Sequence, residues 1–254
     1  MSSAVHSDLI DRAVLVTGGA SGIGADIVRA FAAQGARVGF LDVQDLAAAG
    51  LLAELARARH VPAFRSCDLT DLAALKAGIE ALAAVTGPFG VLVNNAANDQ
   101  RHQLADVTGA MWEDLMAINL RPQLFAVQTV APMMAAQGGG AIVNMSSVAW
   151  RYGSDQMPVY GAAKAGVIGL TKAMARSLGG QNIRVNAIEP GAVMTERQRQ
   201  LWYPTQESVD AMTARQVLQT PLLGSDIADA VVFLASDAAR MITRQVLVVD
   251  AGMS

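Results

Sequence analysis

The sequence predicts an α/β fold in which helices cover both faces of a parallel β-sheet. The main observation is a regular alternation of short, continuously apolar segments with longer helical ones along the chain. Apolar strands that alternate with helices are typical of a parallel sheet buried on both faces. The predicted strands cover residues 13–17, 37–41, 61–66, 91–93, 141–145, 183–188 and 246–249.

The helical segments between these strands provide the second observation. Right-handed crossovers through such helices give a doubly wound, Rossmann-type sheet, here of about seven strands. Because the 254-residue chain shows no linker or internal repeat, we expect a single domain over residues 1–254. The predicted helices cover residues 22–34, 45–59, 71–85, 109–137, 158–178 and 225–236.

One segment interrupts the alternation of strands and helices. Residues 190–221 are rich in Arg, Gln, Met, Trp and Tyr and lie between a predicted strand and a predicted helix. A segment of this length between two regular elements is usually a lid or a binding loop. We therefore expect a substrate-binding loop over this range.

The composition argues against several classes of function. A net charge of −3 without a block of like charges disfavours a nucleic-acid partner or a polybasic membrane surface. No apolar stretch is long enough to span a bilayer and no signal peptide is visible, so we expect a cytoplasmic protein. The single cysteine, Cys67, fits that reducing compartment. The histidines His6, His60 and His102 are scattered, so no metal site is expected.

A glycine-rich turn follows the first predicted strand and opens the first helix. Gly18, Gly22 and Gly24 would let the backbone turn tightly and approach a pyrophosphate. The helix N-terminus would add free N–H groups and the positive end of the helix dipole. This position favours a dinucleotide site over an ordinary glycine-rich turn, which is the alternative.

Asp42 ends the second predicted strand, eighteen residues after Gly24. A carboxylate at this position would accept hydrogen bonds from the adenosine ribose and would repel a 2′-phosphate. Ser21, within the glycine-rich turn, offers no positive charge to hold such a phosphate. Both residues favour NAD over NADP, although Asp42 could also be a solvated residue at a strand end.

Tyr160 and Lys164 are four residues apart on a predicted helix, and Ser147 lies thirteen residues before Tyr160. Residues at this spacing share one helix face. The lysine charge would lower the pKa of the phenol, which is about 10 in a free tyrosine. Such a tyrosine could take a proton from an alcohol while a hydride leaves the carbon, with Ser147 bound to the same oxygen. The alternative is an incidental pair on a helix surface.

Together these motifs resemble the short-chain dehydrogenase/reductase family over nearly the whole chain. The resemblance implies the fold described above and a nicotinamide cofactor. It also implies a homotetramer that packs through the two helices predicted at 109–137 and 158–178. The matching segments are Thr17 to Gly24, Cys67 to Leu69, Asn94 to Ala97, Asn119, Ser147, Tyr160 with Lys164, and Pro190 to Thr195.

The resemblance also assigns roles to individual residues. It implies that Asp68 binds the adenine amino group, that Asn94 fixes the central strand, and that Lys164 also binds the nicotinamide ribose. It further implies that Asn119 interrupts the long helix and holds a water in a proton relay, so the expected catalytic residues are Asn119, Ser147, Tyr160 and Lys164. The expected NAD-binding residues are Gly18, Ser21, Gly22, Ile23, Gly24, Asp42, Asp68, Leu69, Asn94, Ala96, Tyr160, Lys164, Pro190, Gly191, Val193 and Thr195.

Two residues depart from the pattern of the family. Ala97 stands where the family usually has glycine, and its Cβ could narrow the space beside the ribose. Glu189, immediately before the Pro-Gly pair, is also unusual and would bring a carboxylate near the active site.

Within the family, the sequence is similar to the aldose 1-dehydrogenases, most of all to the D-xylose type, in residues 98–108 and 195–203. A sugar needs many hydrogen-bonding partners and an aromatic wall around a small pocket. For the two arginines a solvated or interfacial position is the alternative, and for the tryptophans it is closure of the core. The expected substrate-binding residues are Asn98, Arg101, Ser147, Trp150, Tyr160, Glu189, Arg197, Gln198 and Trp202, with Tyr203 as a further aromatic candidate.

The expected reaction is oxidation of an aldose, a pentose or a 6-deoxyhexose, at C1 to the aldonolactone with NAD. One alternative is oxidation of a secondary alcohol in a deoxy-sugar acid whose carboxylate is held by Arg101 or Arg197. Another is an NADPH-dependent carbonyl reductase of the 3-oxoacyl type, although no basic residue is found near the ribose position. A non-catalytic nucleotide-binding module is the remaining alternative, and it is disfavoured by the complete Ser/Tyr/Lys set.

Overall fold

A computed structural model describes residues 4–254 of the protein. Seven strands form one sheet in the order β3-β2-β1-β4-β5-β6-β7, and every neighbouring pair is parallel. This is the doubly wound, Rossmann-type arrangement that the sequence predicts. The strands are β1 (Ala13–Thr17), β2 (Arg37–Asp42), β3 (Ala63–Ser66), β4 (Val91–Asn94), β5 (Gly140–Met145), β6 (Ile183–Pro190) and β7 (Val246–Val249).

Helices connect the strands and cover both faces of the sheet. Among residues 4–254, no helix combines the length and the apolar character needed to cross a membrane. The helices are α1 (Gly22–Ala33), α2 (Asp45–Glu54), α3 (Leu72–Thr86), α4 (Gly109–Asn119), α5 (Arg121–Ala136), α6 (Ala149–Tyr152), α7 (Pro158–Leu178), α8 (Glu196–Leu201), α9 (Gln206–Thr213) and α10 (Gly224–Ala235).

The elements differ from the sequence prediction in three places. The helix predicted over 109–137 is divided into α4 and α5 at Leu120, whose φ of −129° and ψ of −53° are not helical. The helix predicted from residue 45 ends at Glu54, and β3 begins after Pro62, which has no N–H to donate to a neighbouring strand. The segment 190–221 is not an open loop, because it contains α8 and α9.

The core consists of two apolar layers, one on each face of the sheet. Val14 and Val16 of β1 face α1 and α10, whereas Leu15 faces α3 and α5. This follows from the alternation of side chains along a strand. Phe31 of α1 and Ile79 of α3 are fully buried and anchor their helices on opposite layers.

The sheet order determines where a ligand can bind. From β1 the chain first adds β2 and β3 on one side and then β4 to β7 on the other. Ligands of open α/β sheets bind at this switch point, beyond the carboxyl ends of the strands. Asp42, Asn94, Met145 and Pro190 each end a strand at this edge, so the expected site residues of separate segments come together there.

A buried chain of amide hydrogen bonds holds the strands at this edge. Asn94 Nδ2 donates to Asn144 Oδ1 at 2.9 Å, and Asn144 Nδ2 donates to Thr171 Oγ1 at 2.9 Å. These residues belong to β4, β5 and α7 and are at most 1% exposed. Unpaired polar groups are costly in such a buried environment. These hydrogen bonds therefore stabilise one alignment of β4, β5 and α7.

Replacing Asn94 by alanine leaves Asn144 Oδ1 buried without its donor. We expect Asn94→Ala to lower the free energy of unfolding by about 2 kcal/mol. At about 2–4 °C per kcal/mol for a chain of this size, the melting temperature should fall by roughly 4–8 °C in calorimetry. Gln181→Ala, at an exposed position, is the matched control and should leave the melting temperature unchanged. An Asn94→Ala protein as stable as the wild type would contradict the stabilising role of these buried hydrogen bonds.

Candidate active site

A large cleft lies at the switch point between β1 and β4. Its volume is about 1780 Å³. Pockets for one drug-sized ligand typically measure about 300–1,000 Å³, so this cleft has room for a dinucleotide and a second small molecule. The glycine-rich turn lines one end of the cleft, and Tyr160 lies with α8 at the other.

At two positions, Gly18 and Gly24, the glycine-rich turn lies too close to neighbouring backbone for a side chain to fit. Gly18 has a φ of +65°, and a Cβ built there would lie 2.7 Å from Ala96 Cα. A Cβ on Gly24 would overlap the carbonyl oxygen of Gly18. Ser21 is the N-cap residue of α1, but its side chain makes no capping hydrogen bond. The N–H groups of the first turn, which face the cleft, are therefore not capped by Ser21. This arrangement fits a pyrophosphate bound at a helix N-terminus.

Asp42 lines the cleft at the end of β2 and is held in place by main-chain N–H groups. Its Oδ2 accepts from Ala20 N at 2.9 Å, and its Oδ1 accepts from Gln44 N at 3.1 Å. The side chain of Gln44 also donates to Ser21 Oγ at 2.9 Å. Gln44 therefore links the glycine-rich turn to the end of β2, a role that nothing in the local sequence indicated.

A second carboxylate lines the cleft just beyond the end of β3. Asp68 Oδ1 accepts from the N and Oγ1 of Thr70, at 2.9 and 2.8 Å, and these bonds hold the pKa of Asp68 below its usual value. Leu69 is buried beside it, and burial raises the pKa of the Cys67 thiol. Asp68 is thus an ionised acceptor on the cleft wall, whereas Cys67 remains a protonated, buried thiol.

Ser147, Tyr160 and Lys164 come together at the other end of the cleft. The Ser147 and Tyr160 side chains approach each other, and the hydroxyl of Ser147 lowers the pKa of the phenol. Lys164 Nζ donates to Met145 O at 2.8 Å and lies 5.5 Å from the centroid of the Tyr160 ring. The two side chains on α7 are almost completely buried, so they form part of the cleft floor rather than an incidental surface pair.

The pKa of Tyr160 differs from the sequence-based expectation. Burial is the largest influence and raises this pKa, the negative charge of Asp99 raises it further, and the hydrogen bond from Ser147 lowers it. The expected lowered pKa of Tyr160 is therefore wrong for the protein chain alone, because burial has the larger effect. Burial lowers the pKa of Lys164 to about 8, because a desolvated ammonium is disfavoured, and Asp99 partly offsets this effect.

Asn119 lies beneath the cleft and interrupts the path from α4 to α5. Its Nδ2 donates to Asn98 O at 3.0 Å and its Oδ1 accepts from Asn98 N at 2.9 Å. The main-chain N of Gln123 bonds to Leu120 O, and the Asn119 carbonyl receives only a 3.4 Å contact from the Gln123 side chain. The helical hydrogen bonding is therefore broken at the carbonyl of Asn119.

Most residues expected in the site line the cleft, and four do not. Asn94 and Asn119 are buried and support it from below. Trp150 and Glu189 lie outside its lining. The residues that line it as expected are Gly18, Ser21, Gly22, Ile23, Gly24, Asp42, Asp68, Leu69, Ala96, Asn98, Arg101, Ser147, Tyr160, Lys164, Pro190, Gly191, Val193, Thr195, Arg197, Gln198 and Trp202.

Glu189 and Trp150 bind each other instead of facing a substrate. The Glu189 carboxylate is completely buried and accepts from Trp150 Nε1 and Arg151 Nε, each at 2.5 Å. The expectation that these two residues contact the substrate is thereby corrected, because a buried carboxylate takes the partners that neutralise it. The contact ties α6, which follows Ser147, to the end of β6.

The end of the cleft beside α8 contains a carboxylate to which the sequence alone gave no role. Asp99 accepts from Gln198 Nε2 at 2.5 Å and from Arg197 Nε at 3.3 Å. The Arg101 guanidinium stacks on the Trp202 ring, 3.8 Å from its centroid. Each expected arginine is thus engaged by a neighbour. Only the position of Asp99 between Asn98 and Arg101 could have indicated its role.

Ala97, which replaces the usual glycine of the family, causes no backbone strain. It is exposed on the cleft wall and does not adopt a positive φ. An alanine is therefore tolerated at this position without distortion.

Comparisons with known proteins agree with this architecture. The family model described as Enoyl-(Acyl carrier protein) reductase matches residues 18–254. The "Probable galactose dehydrogenase GalD" of Rhizobium meliloti (strain 1021) is 46% identical over 100% of this chain and 99% of its own. The D-xylose 1-dehydrogenase of Caulobacter vibrioides (strain NA1000 / CB15N) is 46% identical over 99% of each chain. A short-chain type dehydrogenase/reductase from Mycobacterium ulcerans superposes with a TM-score of 0.90 at 28% identity, covering 96% and 90% of the two chains.

The doubly wound sheet and its cleft, together with these relatives, define an oxidoreductase with a nicotinamide cofactor. The chain belongs to the short-chain dehydrogenase/reductase family. Within residues 4–254, no group of three or more His, Cys, Asp or Glu side chains is arranged to hold a metal ion.

The contact of Glu189 with Trp150 and Arg151 can be tested by removing its charge. We expect Glu189→Gln to lower the free energy of unfolding by about 1–3 kcal/mol, because a charge-assisted bond becomes a neutral one at a buried site. Urea denaturation measures this as a lower midpoint with an unchanged slope. Glu207→Gln, on the exposed face of α9, is the matched control. Equal midpoints for Glu189→Gln and the wild type would show that the contact does not stabilise the fold.

Proposed function

We propose that the protein oxidises a neutral cyclic aldose, a pentose or a 6-deoxyhexose, at C1 to the aldonolactone, with NAD as cofactor. The observation that carries this proposal is the Ser147–Tyr160–Lys164 cluster next to a polar subsite with an aromatic wall at Trp202. The 46% identity to proteins named galactose and D-xylose dehydrogenases over the full chain supports a sugar substrate.

The residues of the cleft fit a dinucleotide of the NAD type. Gly18 and Gly24 let the turn pack tightly against neighbouring backbone, and the uncapped N-terminus of α1 next to it could hold a pyrophosphate. Asp42 presents a carboxylate at the ribose position, which favours two free hydroxyls over a 2′-phosphate. What NAD supplies there is a hydride acceptor whose ring carries a positive charge.

In the proposed reaction, Ser147 and Tyr160 hold the anomeric hydroxyl between them. Tyr160 takes the proton of that hydroxyl as the hydride leaves C1. Burial raises the pKa of Tyr160, so the phenolate needs nearby positive charge to form. Lys164 provides it, because a pKa of about 8 leaves most of its ammonium protonated at neutral pH. The proton then passes toward solvent through a water at the free side of the Asn119 carbonyl.

The alternatives are less consistent with the arrangement of charges. An acidic sugar would need a free guanidinium, but Arg197 pairs with Asp99 and Arg101 lies on Trp202. A carbonyl reductase that uses NADPH would need a basic residue at the ribose, where Asp42 stands instead. A non-catalytic nucleotide-binding module would not require a lysine buried beside a tyrosine, as Lys164 is beside Tyr160.

The first experiment measures NADH or NADPH formation by the purified protein with D-xylose, L-arabinose, D-galactose, L-fucose and L-rhamnose. We expect turnover of one or two of these sugars and a higher kcat/KM with NAD than with NADP. The physical reason for the cofactor preference is repulsion between Asp42 and a 2′-phosphate. Absence of turnover on every aldose, with intact NAD binding, would refute the proposed substrate class.

Tyr160→Phe is the matched variant for this assay because it removes a single oxygen. If the phenol is the base, kcat should fall by at least about 10²–10⁴-fold, the usual contribution of general base catalysis. NADH binding, followed by its fluorescence, should remain nearly unchanged. Turnover at the wild-type rate in this variant would rule out the mechanism while leaving the sugar assignment intact.

We also propose that the protein assembles as a homotetramer through α4, α5 and α7. An apolar groove of about 490 Å³ lies between these helices, with Leu124 on its wall 40% exposed. Covering such a surface removes apolar area from water, which favours association. Light scattering should therefore give about four times the 26.5 kDa chain mass. A monomer at micromolar concentration would contradict this expectation.

A further inference from the structure

Asp99 is a partly exposed carboxylate at the substrate end of the cleft. Its side chain is 25% exposed and receives hydrogen bonds from Gln198 and Arg197, both on α8. The main chain before it is also fixed, because the N and O atoms of Asn98 both bond to the Asn119 side chain. Two residues further on, the Arg101 side chain lies on Trp202. Asp99 is thus a positioned charge rather than a mobile surface residue.

The charge of Asp99 reaches the two residues of the reaction. It contributes to a raised pKa at Tyr160, and it opposes the lowering of the pKa of Lys164 by burial. Asp99, Tyr160 and Lys164 all line the same cleft, so this charge acts on the space that a ligand would occupy. A ligand held between Tyr160 and α8 therefore experiences this negative charge directly.

A carboxylate in this position has two consequences for a ligand. Its two oxygens accept hydrogen bonds, and a pair of neighbouring sugar hydroxyls can satisfy them together. It also repels a second carboxylate, and in a partly desolvated cleft this repulsion is not compensated by solvent. The two guanidinium groups nearby reduce this repulsion without removing it. Arg197 pairs with Asp99 but is 59% exposed and therefore screened by water, and Arg101 is turned onto Trp202.

We propose that Asp99 determines the substrate class of this enzyme: it accepts hydrogen bonds from the hydroxyls of a neutral sugar and excludes sugars that carry a carboxylate. This inference rests on the proposed oxidation of an aldose and adds a residue that selects among aldoses. Because Asp99 also binds α8, hydroxyl binding and the position of α8 over the cleft depend on one carboxylate.

The test compares sugars that differ only by a carboxylate. D-Glucuronate is D-xylose with a carboxylate on C5, and D-galacturonate is related to L-arabinose in the same way, so C1 chemistry is unchanged. For wild-type protein we expect kcat/KM to be at least about tenfold higher for the neutral member of the active pair. Equal efficiency with the uronate would overturn the role of Asp99.

Asp99→Asn keeps the shape of the side chain and removes its charge. We expect the KM of the neutral sugar to rise by about tenfold with kcat changed by less than about threefold, because a ground-state contact is weakened. The preference for the neutral sugar should fall by about tenfold. Asp155→Asn removes the same charge from the exposed rim of the cleft and should leave the preference unchanged.

Several outcomes would overturn the inference. An Asp99→Asn protein with wild-type KM and preference, or an equal effect of Asp155→Asn, would show that Asp99 does not select. If Asp99→Asn does not fold, the wild type still decides, because a charge-based preference must weaken between 20 mM and 500 mM salt. Wild-type protein that is inactive on all aldoses would instead refute the proposed function. Wild-type protein that is active on aldoses but does not prefer the neutral sugar would refute only the role of Asp99.

Discussion

The active site depends on the contact between α7 and the end of β5. Three consecutive residues at the end of β5 and just after it bind the helix. Asn144 donates to Thr171, the Met145 carbonyl accepts from Lys164 Nζ, and Ser146, which follows the strand, donates to the Lys164 carbonyl. The next residue is Ser147. One strand end therefore places the hydroxyl of Ser147, while the helix bound to it places Tyr160 and Lys164. Any shift of α7 along β5 would separate the three groups.

The same contact explains why a lysine can be buried at this point. Transfer of an ammonium out of water is unfavourable, and the lowered pKa of Lys164 records that cost. A carbonyl partner at 2.8 Å compensates part of it without neutralising the charge. A carboxylate partner would stabilise the lysine more, but it would cancel the positive field that Tyr160 needs in the proposed mechanism. Burial of Lys164 thus lowers the stability of the fold but places a cation close to the phenol of Tyr160.

The fold could be predicted from the sequence because its evidence is local. Apolar strands and the glycine-rich turn follow from neighbouring residues, and the order of elements then determines the edge where the site forms. The partners of Glu189 could not be predicted, because Trp150 and Arg151 are almost forty residues away and the bond requires the folded chain. The predicted direction of the Tyr160 pKa was wrong for a similar reason. The spacing on a helix predicts that Lys164 lies nearby, but it does not predict how deeply Tyr160 is buried.

Asp99 connects substrate choice with the strength of the base. In the protein alone its charge contributes to a raised pKa at Tyr160, which works against proton transfer. Sugar hydroxyls that donate to Asp99 would spread this charge over the ligand and weaken its effect on the phenol. A ligand without those hydroxyls would leave the opposing charge in place. Under the proposed function, therefore, sugar binding at Asp99 would relieve part of the effect of its charge on Tyr160. The relief would be small, because burial has the larger effect on that pKa and Arg197 already pairs with Asp99.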